Sequence, residues 1–300
     1  VTNDQNAIGI GMKGQGKISD SPITLDWSQP LTPKKGEPHM TLQAQIASTP
    51  NMRKAFGADL PYLSGTVPLD LTYTETSTGS ERIDIKADLT PSPFKIDDFS
   101  YLKPAGTKGN ASASLIVQKG TLVKAENVAI TAPDLLLKNG TVTFGEINKE
   151  VDVTGASFKT FNLVRGAASL DYKRTAQTKK ITIRGRKFDV APILDSDAPP
   201  AKNPSANDVD IQVSELYMAK GAPPLLNAML KVKTNKSQEL VYLDLLAKAG
   251  TAPATFQYIP NDKGQMTLKV NSGDAEAFLK AVGIYDNIAR GALSLNGAPI

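Results

Sequence analysis

The chain has 300 residues, 40% hydrophobic, 6% aromatic and 21% charged, and its 34 Lys and Arg against 30 Asp and Glu give a formal net charge of +4. It has no cysteine and one histidine, His39, which excludes disulfides, zinc ribbons, iron–sulfur clusters and thiol nucleophiles and leaves almost no His-based chemistry. The weak, scattered charge argues against binding to nucleic acid. We therefore expect a protein that is not an enzyme and that has no cofactor and no metal site.

Apolar and polar residues alternate along most of the chain, which is the pattern of β-strands with one apolar face. No segment approaches the roughly 20 apolar residues that cross a bilayer. Strand-like runs stand at both ends, so we expect an excerpt of a longer protein, with any membrane anchor outside it. The predicted apolar rows are, in chain order, Met40, Leu42 and Ile46; Leu69 and Leu71; Ile83, Ile85 and Leu89; Ile181 and Ile183; Val209, Ile211 and Val213; Val241, Leu243 and Leu245; Leu268 and Val270.

Short turn signals separate these runs. Lys119-Gly120, Lys138-Asn139-Gly140 and Asn261–Gly264 supply residues that tolerate the positive φ of tight hairpins. Helices are predicted at 51–56 and near 274–283, the second beginning with Asp274 as its N-cap and ending at Gly283. The sequence thus predicts an all-β fold, a long antiparallel meander with one or two short helices.

Residues 195–207 are rich in Pro, Ala and Ser and show no periodicity, so they are predicted to form a loop. Alternation resumes directly after them. We therefore expect residues 1–194 to form one β-segment and residues 208–300 to continue the same sheet.

A long sheet with one apolar face and few aromatic residues needs a partner for that face. It must close on itself, pack on a second sheet or hold a hydrophobic ligand. The densest basic run, residues 179–187, has two interpretations. It is either the solvated face of a strand, or its Arg184, Arg186 and Lys187 form a rim for phosphate headgroups.

Four segments stand in a recognisable order along the chain: Leu63–Leu71, Leu102–Gly109, Gly185–Leu194 and Asn271–Leu295. Together they resemble the AsmA-like envelope proteins, specifically the YhdP-type branch. Each motif is characterised by Gly, Pro and aliphatic residues and has no reactive group, so the specificity lies in the order of the four. One departure from the family pattern is Ile284 in place of Leu.

This resemblance implies a bacterial protein tethered to the inner membrane, with a long periplasmic β-structure. It implies an open, taco-like hydrophobic groove that carries the acyl chains of phospholipid or another lipid between the inner and outer membranes, with envelope proteins as further partners. The alternative is a TamB-like scaffold that assists outer-membrane protein assembly through strand addition.

Overall fold

The computed structural model describes residues 8–18, 21–33, 37–55, 60–76, 80–195, 205–284 and 291–297. Most of these residues lie in β-strands, which confirms the predicted all-β class. The chain divides into two compact units. The first comprises Val1–Ile96 and Tyr101–Gly145, and the second comprises Asp97–Ser100 and Glu146–Ile300.

The first unit is built from long antiparallel strands and a small hairpin. The long strands pair in the sequence β1-β2-β3-β4-β5-β8-β9-β10, and β6 pairs with β7. Their bounds are β1 Gly9–Ile18, β2 Ser21–Pro30, β3 Pro38–Ser48, β4 Val67–Thr76, β5 Ser80–Asp88, β6 Phe94–Ile96, β7 Tyr101–Lys103, β8 Asn110–Gln118, β9 Thr121–Ala132 and β10 Leu135–Ile147.

The described residues of the second unit form nine strands, which pair in chain order from β11 to β19. A 3-10 helix, Asp97–Phe99, also belongs to this unit. The bounds are β11 Glu150–Leu163, β12 Ala167–Arg174, β13 Thr178–Asp189, β14 Ala206–Tyr217, β15 Leu225–Thr234, β16 Leu240–Ala249, β17 Ala252–Pro260, β18 Met266–Ser272 and β19 Leu293–Gly297.

One strand pair departs from the predicted antiparallel meander. Strands β13 and β14 run parallel, with Ile181 opposite Val209 and Ile183 opposite Ile211. A parallel pair needs a crossover of about a dozen residues or more, and the stretch predicted as a loop, residues 195–207, begins in that connection. Its end was predicted too late, because Ala206 and Asn207 already pair within β14. Of that stretch, residues 196–204 fall outside the described residues. Periodicity could not show the strand direction, because apolar and polar residues alternate in the same way in parallel and antiparallel pairs.

Two of the three predicted tight turns are confirmed and one is corrected. Lys119 and Gly120, with φ of 52° and 73°, connect β8 to β9, and the Asn261–Gly264 segment connects β17 to β18. Asn139, in contrast, lies inside β10, with φ of 52°, where the register against β9 shifts. An Asn in the left-handed region suits a β-bulge as well as a turn.

The described residues contain three short α-helices, α1 Pro50–Ala55, α2 Ala191–Leu194 and α3 Ala275–Ala281. Helices α1 and α3 confirm the predictions, and the Asp274 carboxylate accepts a hydrogen bond from the Ala277 backbone at 2.9 Å. Gly283 follows α3 with φ of 73°. Within the described ranges, no helix is long and apolar enough to span a bilayer.

Candidate functional site

The second unit contains an apolar cavity of about 650 Å³, a size typical of sites for small molecules. Eighteen of the described residues line it, and among these eighteen only Tyr172 has a polar group in its side chain. Burial raises the pKa of the Tyr172 hydroxyl, and the nearby Arg174 charge partly offsets this rise. A cavity with this lining suits a hydrocarbon chain, because the wall offers almost nothing to hydrogen-bond a polar ligand.

Five of the predicted apolar residues come together in this wall. The register of β13, β14 and β15 aligns their in-facing residues into cross-strand rows. Because residues directly opposite each other share a face of the sheet, the predicted alternation placed them correctly on one side. The five are Ile181, Ile183, Val209, Ile211 and Leu243.

Aromatic residues that the sequence interpretation missed close part of the wall. The Phe99 ring, from the 3-10 helix, meets the rings of Phe161 and Phe188 edge to face, with centroids 6.2 and 6.4 Å apart. Phe188 faces the cavity because the register of β12 against β13 shifts between Ala167 and Ala168. This shift leaves Arg186 without a pairing residue on β12 and turns the residues after it to the other face. The period-2 pattern alone would have placed Phe188 on the opposite face.

Helix α2 forms the wall at the end of β13 and supplies Ile193 and Leu194. These two side chains are 43% and 62% exposed, so this part of the wall borders solvent. The buried Asp189 carboxylate fixes the start of α2. It accepts a hydrogen bond from the Ala191 backbone at 3.1 Å and pairs with Arg165 at 2.7 Å.

The other predicted residues of this unit do not line the cavity. Val213 and Leu245 belong to a buried cluster that α3 covers through Phe278, and Val270 packs against the same cluster. Leu268 is half-buried on β18. Val241 is 41% exposed, at the position where the register of β15 against β16 is irregular.

In the first unit the predicted residues share one face of the sheet. The β3–β4 and β4–β5 ladders place Leu42 opposite Tyr73, and Tyr73 opposite Ile83. Ile46 is buried in a small cluster with Met52 of α1. Leu89 is buried just after β5. The half-buried members are Met40, Leu42, Leu69, Leu71, Ile83 and Ile85.

Two of the three predicted rim cations pair with carboxylates. Arg184 pairs with Asp210 at 2.8 Å, and Lys187 pairs with Glu215 at 2.8 Å. The Lys187 contact lowers the pKa of the Glu215 carboxyl and raises the pKa of the Lys187 amine. Alternation puts Arg184 on the face opposite Ile183, away from the cavity. Arg186 is exposed at the bulge. A headgroup role for these three residues stays a prediction.

Comparison with protein-family models, with curated proteins and with solved structures gave no match. Among the described residues, no cluster of His, Asp or Glu could hold a metal ion. The apolar cavity of the second unit is therefore the feature from which a function can be argued.

Proposed function

We propose that this protein binds and shields the hydrocarbon chains of lipids, and that the cavity of the second unit is one site where it does so. The observation that carries the proposal is the lining of the 650 Å³ cavity, apolar apart from Tyr172. Removing a hydrocarbon chain from water contributes about 0.8 kcal/mol per CH₂ group. A wall of aliphatic and aromatic side chains provides that gain without fixing the chain in one position.

The half-buried apolar face of the first unit supports the same role. Its side chains are mainly aliphatic, and the predicted ones are half-buried apart from the buried Ile46 and Leu89. Such a face suits weak, non-specific contact with acyl chains. The resemblance to AsmA-like proteins adds the setting that we propose, lipid transfer across the bacterial periplasm by a protein tethered to the inner membrane.

The test compares two leucines of one strand. Leu243 lines the cavity, whereas Leu246 is exposed and, three residues further along β16, faces the other side. In the full chain, we expect Leu243→Asp to weaken binding of a fluorescent fatty acid at least about a hundredfold, because a carboxylate is costly in an apolar cavity. Leu246→Asp should bind as the wild type does.

A second variant separates loss of binding from loss of folding. Leu243→Trp fills the cavity with an apolar ring and introduces no charge, so the protein should keep its circular dichroism spectrum while binding falls. If both Leu243 variants fold and bind the fatty acid with wild-type affinity, the proposed function is wrong.

A scaffold that assists outer-membrane protein assembly is the second candidate. The observation that favours it is β1, where Ile8, Ile10 and Met12 are 62%, 53% and 64% exposed near or within a strand. Lipid extraction of the purified chain distinguishes the two. Co-purified phospholipid supports lipid binding, whereas a lipid-free chain that captures unfolded barrel proteins supports the scaffold.

A further inference from the structure

One end of the cavity wall is bordered by polar residues on the same face of the sheet. The outermost apolar row contains Tyr172, Ile181, Val209 and Val232, which lie opposite one another on β12 to β15. Two residues further towards the strand ends, the next row across the same four strands is Arg174, Lys179, Asn207 and Thr234. We call these four residues the polar row.

The register shows that the polar row faces the cavity side. Arg174 lies opposite Lys179, and Lys179 lies opposite Asn207, with no shift between these pairs and the apolar row. Side chains two apart on a strand share a face. Burial agrees with this placement, because Lys179 is half-buried whereas its neighbour Lys180 is exposed.

The polar row carries two neighbouring cations. Arg174 pairs with Asp152, and its Nε is buried with no hydrogen-bond partner among the described residues. No ion pair involves Lys179 within the part of the chain that the structure describes. Opposite residues in a ladder have Cα atoms about 5 Å apart, so an anion can contact both side chains.

Asn207 and Thr234 complete the row with neutral polar groups. The Asn207 amide donates to the Thr234 hydroxyl at 2.9 Å and to the Gln238 side chain at 2.8 Å. These contacts orient the amide. Because Asp152 offsets the charge of Arg174, Lys179 supplies the net positive charge of the row. The row therefore has a positive charge beside a hydrocarbon-lined cavity, which is the arrangement that an anionic amphiphile requires.

We propose that the polar row is the headgroup site of the cavity and that it holds the phosphate or carboxylate of an anionic lipid through Lys179 and Arg174. This inference rests on the proposed function, because it assigns the head of the molecule whose chain occupies the cavity. The chain then lies along β13 from Ile181 towards Phe188 and α2. Hydrogen bonds from Lys and Arg to a phosphate are charge-assisted, and they are therefore stronger than hydrogen bonds between neutral groups.

The experiment measures binding of dodecyl phosphate, dodecanol and inorganic phosphate to the full chain by calorimetry. We expect the wild type to bind dodecyl phosphate about tenfold more tightly than dodecanol, the gain of one charge-assisted contact. Lys179→Gln should remove that preference and leave dodecanol binding unchanged, and Lys179→Arg should retain it. Lys180→Gln, the adjacent residue on the opposite face, is the matched control and should behave as the wild type.

Three results would overturn the inference in distinguishable ways. If dodecanol does not bind the wild type, the proposed function fails and the headgroup site fails with it. If dodecanol binds but dodecyl phosphate has no advantage, or keeps it in Lys179→Gln, only the headgroup site is wrong. If inorganic phosphate binds as tightly as dodecyl phosphate and Lys179→Gln abolishes both, the row is a site for free phosphate and not for a lipid head.

Discussion

The two units have the same kind of apolar sheet face but cover it differently. In the second unit, α3 inserts Phe278, which is 2% exposed, into a buried cluster of fifteen described residues, and α2 and Phe99 border the cavity. In the first unit, the cluster at α1 has four buried members among the described residues, including Met52. We infer that the helices, more than the strands, determine whether such a face is filled or encloses a defined pocket.

The two units also differ in charge at the strand ends away from their helices. In the second unit, Tyr172 lies beside the cation Arg174. In the first unit, Tyr73 occupies the comparable place, and its neighbours on the same face are Glu75 and Glu81. Burial, together with these two carboxylates, raises the pKa of the Tyr73 hydroxyl. The same architecture therefore presents a positive end in one unit and a negative end in the other.

Truncating the helix residue that enters each core tests the first difference. We expect Phe278→Ala to destabilise the second unit by about 4 kcal/mol and Met52→Ala to destabilise the first by about 2 kcal/mol, because the aromatic ring fills more space in a larger cluster. Amide hydrogen exchange, which reports each strand separately, measures both effects. Equal losses of protection would show that the two helices contribute equally to the stability of their units.

Close strand approach in the second unit gives a further prediction. A Cβ atom at Gly185 would lie 2.5 Å from the Ala168 Cα, whereas a Cβ at Gly14 of β1 meets nothing within 4 Å. Gly185→Ala should therefore cost about 3 kcal/mol, since backbone must move, and Gly14→Ala should stay within about 0.5 kcal/mol. Urea denaturation of the two variants measures the contrast. A Gly185→Ala protein as stable as the wild type would mean that β12 and β13 separate easily.

Alternation in the sequence was sufficient to predict the all-β class and five residues of the cavity wall, because Ile181, Ile183 and their partners obey period 2 without interruption. It failed where one extra residue enters a strand. Arg186 in β13 reverses the faces that follow, so Phe188 could not be predicted to face inward. Asn227 of β15, with φ of 48°, accompanies a similar shift. Bulges depend on the partner strand, which a single sequence does not reveal.

Sequence also concealed the polar row. Lys179 appeared as one of several charges in a basic run, and only the ladder from β12 to β14 shows that it lies beside Arg174 and not with Arg184. Arg174 stands at the end of a different strand, and Asn207 follows a long connection. Residues that meet through pairing between distant strands share no local spacing, so no motif could have predicted this site.

The smallest expected effect concerns the acidic end of the first unit. Glu81→Lys places a cation near Tyr73, as Arg174 stands near Tyr172, and we expect a weak second site for dodecyl phosphate with affinity a few fold above that for dodecanol. The pKa of Tyr73 should fall, because a neighbouring negative charge becomes positive. Calorimetric stoichiometry and tyrosine absorbance against pH measure the two changes.

Asp70→Lys makes the same change of charge on the polar face of β4 and is the control; it should leave both quantities unaltered. If Glu81→Lys lowers the Tyr73 pKa but adds no site for dodecyl phosphate, the charge at the strand ends does not by itself explain why the two units differ in binding. The bounded cavity beneath α2 would then be what binding requires, because an open apolar face removes too little of a hydrocarbon chain from water.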